Sequence, residues 1–240
     1  MRVCAVVAAG GKGRRMGMTE PKQYMNLCGK QVISYSLMAL QKSFVDEIVL
    51  VCGEGEEEWV RENIVEAQGF SKVKAIIEGG EERYESVYKG LSASSDADYC
   101  IIHDGARPFL TQYILERCLH YAQKYGGAAA ASKSHDTVKL AMENDSFIEK
   151  TLDRDRIWMI QTPQVFGYDM IFEAYGKLMR DRERLRAADV KITDDTMVAK
   201  IYAGLDSRLV LNPYPNIKIT TPSDLSIAEA LIKSGMTYGQ

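Results

Sequence analysis

Short, mostly apolar runs at residues 3–7, 48–51, 73–77 and 99–102 recur along the first part of the chain, and the stretches between them carry apolar residues at helical spacing. Runs of this kind suit strands buried on both faces. Strands that alternate with helices imply a parallel sheet covered on both sides. The helical stretches include 32–40, with Ile33, Leu37 and Leu40 on one face, a second around Trp59, Ile64 and Val65, and a third at 84–91 after Gly79-Gly80. A fourth, 111–124, has Thr111 at its start and Gly126-Gly127 at its end, and a small-residue strand follows at 128–131.

The rhythm breaks at 132–156, where Val138-Lys139-Leu140 and Phe147-Ile148 flank the polar Glu143-Asn144-Asp145-Ser146. That is the chemistry of a hairpin turn, so this segment is expected to project from the domain. Beyond it come an apolar return at 157–160, the polar Gln161-Thr162-Pro163-Gln164 at a strand end or loop, and a helix at 169–179. The charged run 180–186 reads as a solvated helical face. Thr193-Asp194-Asp195 caps another helix, 209–211 and 217–219 are expected as late strands, and 222–233 as a closing helix. The expectation is one α/β domain spanning 1–240, with a mostly parallel doubly wound sheet and a projecting β-hairpin arm at 133–156.

Charge narrows the function. Thirty basic against 33 acidic side chains give a net charge of −3, which argues against a general nucleic-acid or membrane-surface protein and confines any positive field to a local site. Five scattered cysteines without a Cys-x-x-Cys pair, and three histidines without ligand spacing, suggest neither disulfides nor zinc. With no apolar run long enough to be a signal peptide or a membrane span, a cytoplasmic protein is expected.

The local positive field falls on residues 8–22. Gly10, Gly11 and Gly13 free the backbone to turn its N–H groups onto an anion, and Lys12, Arg14, Arg15 and Lys22 add charge. The spacing Gly11-x-Gly13-x-x-x-Gly17 resembles a dinucleotide fingerprint. However, Pro21 stands where that motif needs helix, and Glu54 comes too late to be its acidic partner. No Ser or Thr follows a Gly-Lys pair, so a Walker loop fails as well. A turn with solvated cations, a non-catalytic nucleotide-binding module and an NAD(P) oxidoreductase all remain open on the loop alone. Further polar clusters at predicted strand ends or loops, residues 79–83, 104–108, 162–164 and 216–218, outline a site around it.

Ordered along the chain, Ala8-Ala9-Gly10 through Arg15-Met16, Pro21-Lys22-Gln23, His103-Asp104-Gly105-Ala106-Arg107-Pro108, Gln161-Thr162-Pro163-Gln164 and Asn216-Ile217-Lys218-Ile219-Thr220 resemble the 2-C-methyl-D-erythritol 4-phosphate cytidylyltransferases. The resemblance implies a dinucleotide-binding-like nucleotidyltransferase sheet and Mg²⁺-dependent transfer of CMP from CTP to a polyol phosphate in isoprenoid precursor synthesis. It also implies a homodimer joined by exchanged hairpin arms. It implies catalytic roles for Arg15, Lys22, Arg154 and Lys218, and nucleotide binding by Ala8, Ala9, Gly10, Gly80, Glu81, Ser86 and Gly105. Asp104, Thr137 and Thr162 would meet the second substrate, with Asp104 also a candidate metal ligand because hard oxygen ligands suit Mg²⁺. The loop itself carries one residue more than the usual spelling and looks closer to the ribitol-5-phosphate cytidylyltransferases. Asp136-Thr137-Val138-Lys139 and Thr151-x-Asp153-Arg154 instead match the methylerythritol enzymes and favour that acceptor.

Overall fold

The computed structural model describes residues 1–11, 21–94, 96–143 and 146–235. The first strand, β1 (Val3–Ala8), is followed by the small hairpin β2 (Asn26–Leu27) and β3 (Lys30–Gln31). After these come α1 (Val32–Lys42), β4 (Glu47–Cys52) and α2 (Glu57–Val60), which runs on into a π-helical stretch, Arg61–Glu66. Then follow β5 (Val73–Glu78), α3 (Arg83–Ser92), β6 (Tyr99–Asp104), α4 (Gln112–Tyr125), β7 (Gly127–Lys133), the arm strands β8 (Lys139–Ala141) and β9 (Ile148–Thr151), and β10 (Trp158–Gly167). The chain closes with α5 (Tyr168–Ala187), α6 (Asp195–Ala203), β11 (Arg208–Leu211) and α7 (Pro222–Lys233).

Seven strands form one sheet in the order β11-β7-β10-β6-β1-β4-β5, parallel except for β10, which runs antiparallel to both its neighbours. The alternation of β1 shows how both faces are covered. Val3, Ala5 and Val7 pack with α1 and α4, whereas Cys4 and Val6 pack with α3, α5 and α6. Four of the five free cysteines are buried small side chains of this kind, and Cys28 alone is exposed. On the second face a side chain at Gly90 would collide with Val6, so the glycine lets α3 close tightly on the sheet and brings its N-terminus to the sheet's carboxyl edge.

The chain moves from β1 to β4 and β5 on one side and then returns to β6 on the other, so the connections leaving β1 and β6 diverge. That switch point opens a crevice at the carboxyl ends of two adjacent strands, where ligands collect in open α/β sheets.

Helix limits follow local chemistry. Thr111 accepts the Ile114 N–H at the start of α4, and Gly126, with φ 87°, ends it in the left-handed conformation. The arm forms as expected, with β8 and β9 antiparallel.

Two expectations are corrected. Residues 217–219 are not a strand: the Ile219 N–H bonds to the Ala106 carbonyl and the Arg107 guanidinium holds the Asn216 carbonyl, so the segment is tied to the loop after β6. Residues 161–164 lie inside β10 rather than at a strand end. Its pairing with β7 shifts register between Ile160 and Gln164, around a proline that cannot donate to the ladder.

Candidate active site

The crevice is a cleft of about 680 Å³ walled by the exit of β1 (Ala8 to Gly11), by Lys22 and Gln23, and by the turn and start of α3 (Gly80 to Arg83, and Ser86). Asp104, Ala106 and Lys218 complete it. Each wall has a local cause. At Gly10 a Cβ would stand 2.7 Å from the Cys52 carbonyl oxygen, so only glycine lets the chain leave β1 pressed against the end of β4. Gln23, only 2% exposed, turns its side-chain amide onto the Ala9 carbonyl and anchors the neighbouring Lys22 to the same strand end.

In the turn before α3 every backbone N–H is already bonded. Gly79 donates to the Cys52 carbonyl (2.9 Å), Gly80 to Ser86 Oγ (3.0 Å), and Glu81 and Glu82 to Glu85 Oε2 (2.9 and 3.3 Å). What this turn can offer a ligand is therefore oxygen.

Opposite lies a charged network. Arg83 donates through Nε to Asp104 (2.9 Å) and through its two terminal nitrogens to Asp195 (2.7 and 2.9 Å), which is fully buried and also accepts the Tyr175 hydroxyl. Lys218 Nζ donates to the other Asp104 oxygen at 2.7 Å, and Arg107 lies 3.7 Å from it. Burial pushes the Asp104 carboxyl up, but Arg83, Lys218 and Arg107 outweigh it and hold the group well below the usual carboxylate range. Burial also pulls Arg83 down, and Asp195 and Asp104 again prevail, keeping it firmly charged.

Both Asp104 oxygens thus already face cations. Among the described residues no group of three His, Cys, Asp or Glu could hold a metal ion. The donor set does not fit a protein-built metal cage.

Thr162, assigned to the second substrate from the sequence, is buried behind Asp104. Its hydroxyl accepts the Asp104 N–H at 3.0 Å and lies 3.2 Å from His103 Nδ1. Gly105 is likewise behind the cleft wall, donating to the Ala8 carbonyl at 2.9 Å. Thr137 and Arg154 are exposed on the arm, with the Arg154 guanidinium on the His135 carbonyl at 3.3 Å, and neither lines the cleft of this chain. Arg15 lies outside the described residues. Sequence reasoning gave no role to Arg83, Gln23 or Tyr175, and read Asp195 chiefly as a cap. The cap proper is Asp194, which accepts the Met197 N–H, while its neighbour turns inward. The charged end of α5 is not wholly solvated either: Arg186 reaches Glu81 and Glu85, both at 3.2 Å.

His103 is fully buried, and burial pulls its imidazole down to about 4, so the folded protein keeps it neutral. The unfolded chain takes up that proton as pH falls through about 6.5. Stability from His103 is therefore complete above pH 6.5 and drains away as pH falls toward 4, and the loss from Asp104 follows at lower pH. The urea midpoint should be flat from pH 8 to 7 and decline below 6.5, and His103→Gln should flatten the upper part of that decline. An unchanged slope in the variant would assign it to other groups.

The comparisons with known proteins agree on one family. The sequence model described as IspD: 2-C-methyl-D-erythritol 4-phosphate cytidylyltransferase matches residues 3–234. A protein of that name from Lachnospira eligens is 45% identical over 95% of this chain and 98% of its own, and one from Clostridium acetobutylicum is 42% identical over 96% and 97%. Among solved structures, 4-diphosphocytidyl-2C-methyl-D-erythritol synthase from Anaerococcus prevotii superposes with a TM-score of 0.81 at 27% identity, covering 97% of this chain and 96% of that one. The 2-C-methyl-D-erythritol 4-phosphate cytidylyltransferase of Thermus thermophilus gives 0.76 at 27% identity, covering 97% and 100%.

Proposed function

This chain belongs to the 2-C-methyl-D-erythritol 4-phosphate cytidylyltransferase family and so transfers CMP from CTP to that polyol phosphate in the non-mevalonate route, releasing pyrophosphate; we propose that the transfer takes place in the cleft between β1 and β6. The observation that carries the proposal is the gathering of Ala8 to Gly11, Gly80 to Ser86, Lys22, Asp104 and Lys218 around one cavity.

Cytidine lies against Ala8, Ala9, Gly10 and the turn at Gly80, Glu81 and Ser86, backed by Gly105. Because that turn has spent its N–H groups internally, it favours a base edge that donates, as an amino group does, over one that only accepts. The acceptor phosphate oxygen attacks the α-phosphorus, forming one P–O bond while the bond to the leaving pyrophosphate breaks. Arg15 and Lys22 counter the charge that develops, Arg15 as a planar fork and Lys22 as a compact ammonium. Lys218, held by Asp104, meets the acceptor phosphate, and Asp104, backed by Thr162, accepts a polyol hydroxyl.

When bound, Mg²⁺ would supply charge neutralisation for the triphosphate.

Thr137 and Arg154 reach an active site only from a partner, so the arm at 133–156 serves a homodimer. The exposure of Leu140, Phe147 (69%) and Ile148 (60%) supports a covered arm in the assembly. Among the described residues no helix is long and apolar enough to cross a membrane. Five unpaired thiols suit a reducing cytosol.

The test is a panel of acceptors with pyrophosphate as readout. Release is expected from CTP with Mg²⁺ and methylerythritol phosphate, and at least tenfold less from UTP. Equal or better turnover with ribitol 5-phosphate would reassign the acceptor.

A further inference from the structure

Lys22 reaches the cleft from a segment that Gln23 ties to Ala9 and that a second contact, at one carboxylate, latches beside the end of β4. Tyr24, two residues on, is 5% exposed; its ring lies 5.0 Å from that of Trp59 and its hydroxyl donates to Glu56 Oε2 at 2.7 Å. The same oxygen accepts the Gly53 N–H at 2.8 Å. Gly53 directly follows Cys52, whose carbonyl is the surface that Gly10 presses against and that receives the Gly79 N–H. One Glu56 oxygen therefore joins the Lys22 segment to the strand end on which both nucleotide-facing turns rest.

Three features suit this latch to positioning. The backbone between Pro21 and Tyr24 is a tight turn closed by the Tyr24 N–H on the Pro21 carbonyl (2.9 Å), so the Lys22 backbone moves with Tyr24. Burial, followed by the Glu56 carboxylate, pushes the Tyr24 phenol well above its ordinary value, which keeps it a neutral donor across the working pH range. The Glu56 to Gly53 bond is local to one turn and closes without Tyr24, so stabilising that turn alone would not require the phenol.

We propose that Glu56, acting through Tyr24, is a positioning residue for the transfer, holding the Lys22 ammonium at the place where triphosphate charge develops. The inference rests on the proposed role of Lys22 in the cleft. A misplacement of about 1 Å in such a group costs on the order of 10²-fold when the chemistry depends on its position.

The test is steady-state pyrophosphate release with both substrates varied, alongside thermal unfolding of each variant. Tyr24→Phe, which deletes one oxygen atom, and Glu56→Ala are each expected to lower kcat by about tenfold or more with little change in KM for CTP, at temperatures well below unfolding. The double variant should lose no more than the worse single one, because both belong to one unit. Glu56→Gln, whose amide oxygen can accept both bonds, should restore the rate lost in Glu56→Ala. Normal kcat in Tyr24→Phe, losses that multiply in the double variant, or no rescue by glutamine would each overturn the inference. Lys22→Ala separates the two layers: if it keeps full activity the role of Lys22 fails, whereas an inactive Lys22→Ala beside a normal Tyr24→Phe sinks the latch alone.

Discussion

Arg83→Met is expected to destabilise the fold by about 3–5 kcal/mol, the range seen when one partner of a buried ion pair is removed and a charge is left behind. The reason is Asp195. Its carboxylate is fully buried, and among the described residues its charge is met by the two terminal nitrogens of Arg83, with the neutral Tyr175 hydroxyl as a further donor. Methionine fills much of the same volume but returns no donor, so the anion must stay unpaired or take up a proton. Asp104 suffers less, because Lys218 and Arg107 remain beside it. Denaturant unfolding of Arg83→Met alone and combined with Asp195→Asn checks this. The double variant should recover part of the loss, since the neutral amide no longer needs the cation. A single-variant loss below about 1 kcal/mol would mean that Asp195 finds another partner or is hydrated.

Lys22→Ala and Arg15→Ala should each lower turnover by about 10²-fold or more while CTP still binds. Charge placed against a developing negative centre contributes most in the transition state. Lys22 faces the cleft within reach of the proposed triphosphate position, and its segment is fixed by Gln23 on Ala9 and Tyr24 on Glu56. Single-turnover rates together with CTP binding by titration separate the two effects. A loss confined to binding would make these residues holders of the ground state, and near-normal rates would remove them from the chemistry. The losses should exceed those of Tyr24→Phe, because the latch moves the charge whereas Lys22→Ala deletes it.

Much of the fold was legible from residue order. Apolar runs with helices between them imposed a mostly parallel, two-sided sheet, Thr111 and Gly126 marked the α4 ends, and the break in rhythm marked the arm, although Asn144 and Asp145 of its expected turn lie outside the described residues. The failures share a cause. At 217–219 the alternating Ile-Lys-Ile pattern reads as strand, yet no sheet edge is offered there, and the backbone bonds instead to the loop after β6. Residues 161–164 carry turn chemistry, but β10 runs through them: Gln164 pairs with both β6 and β7 at the end of a local register shift. In each case distant backbone, invisible to a local pattern, decided the outcome.

The site divides along the same line. Sequence alone determined the chemical types and their order: a glycine-rich cationic loop after the first strand, an aspartate ending a later strand, a lysine near the carboxyl end, and a hairpin between. Those are properties of single residues and their spacing; by themselves they indicated an anion-holding loop, and the nucleotide chemistry came from the resemblance of the ordered motifs to a known family. Only the tertiary structure decided which groups share a cleft and which stand behind it. It set Thr162 at the back of Asp104, joined Arg83 to Asp195 across 112 positions of chain, and brought Tyr24 to Glu56 beside the end of β4. Ion pairs and hydrogen bonds act over a few ångströms in space, and for Arg83 and Asp195 the packing of α3, α5 and α6 on one face of the sheet supplied that proximity.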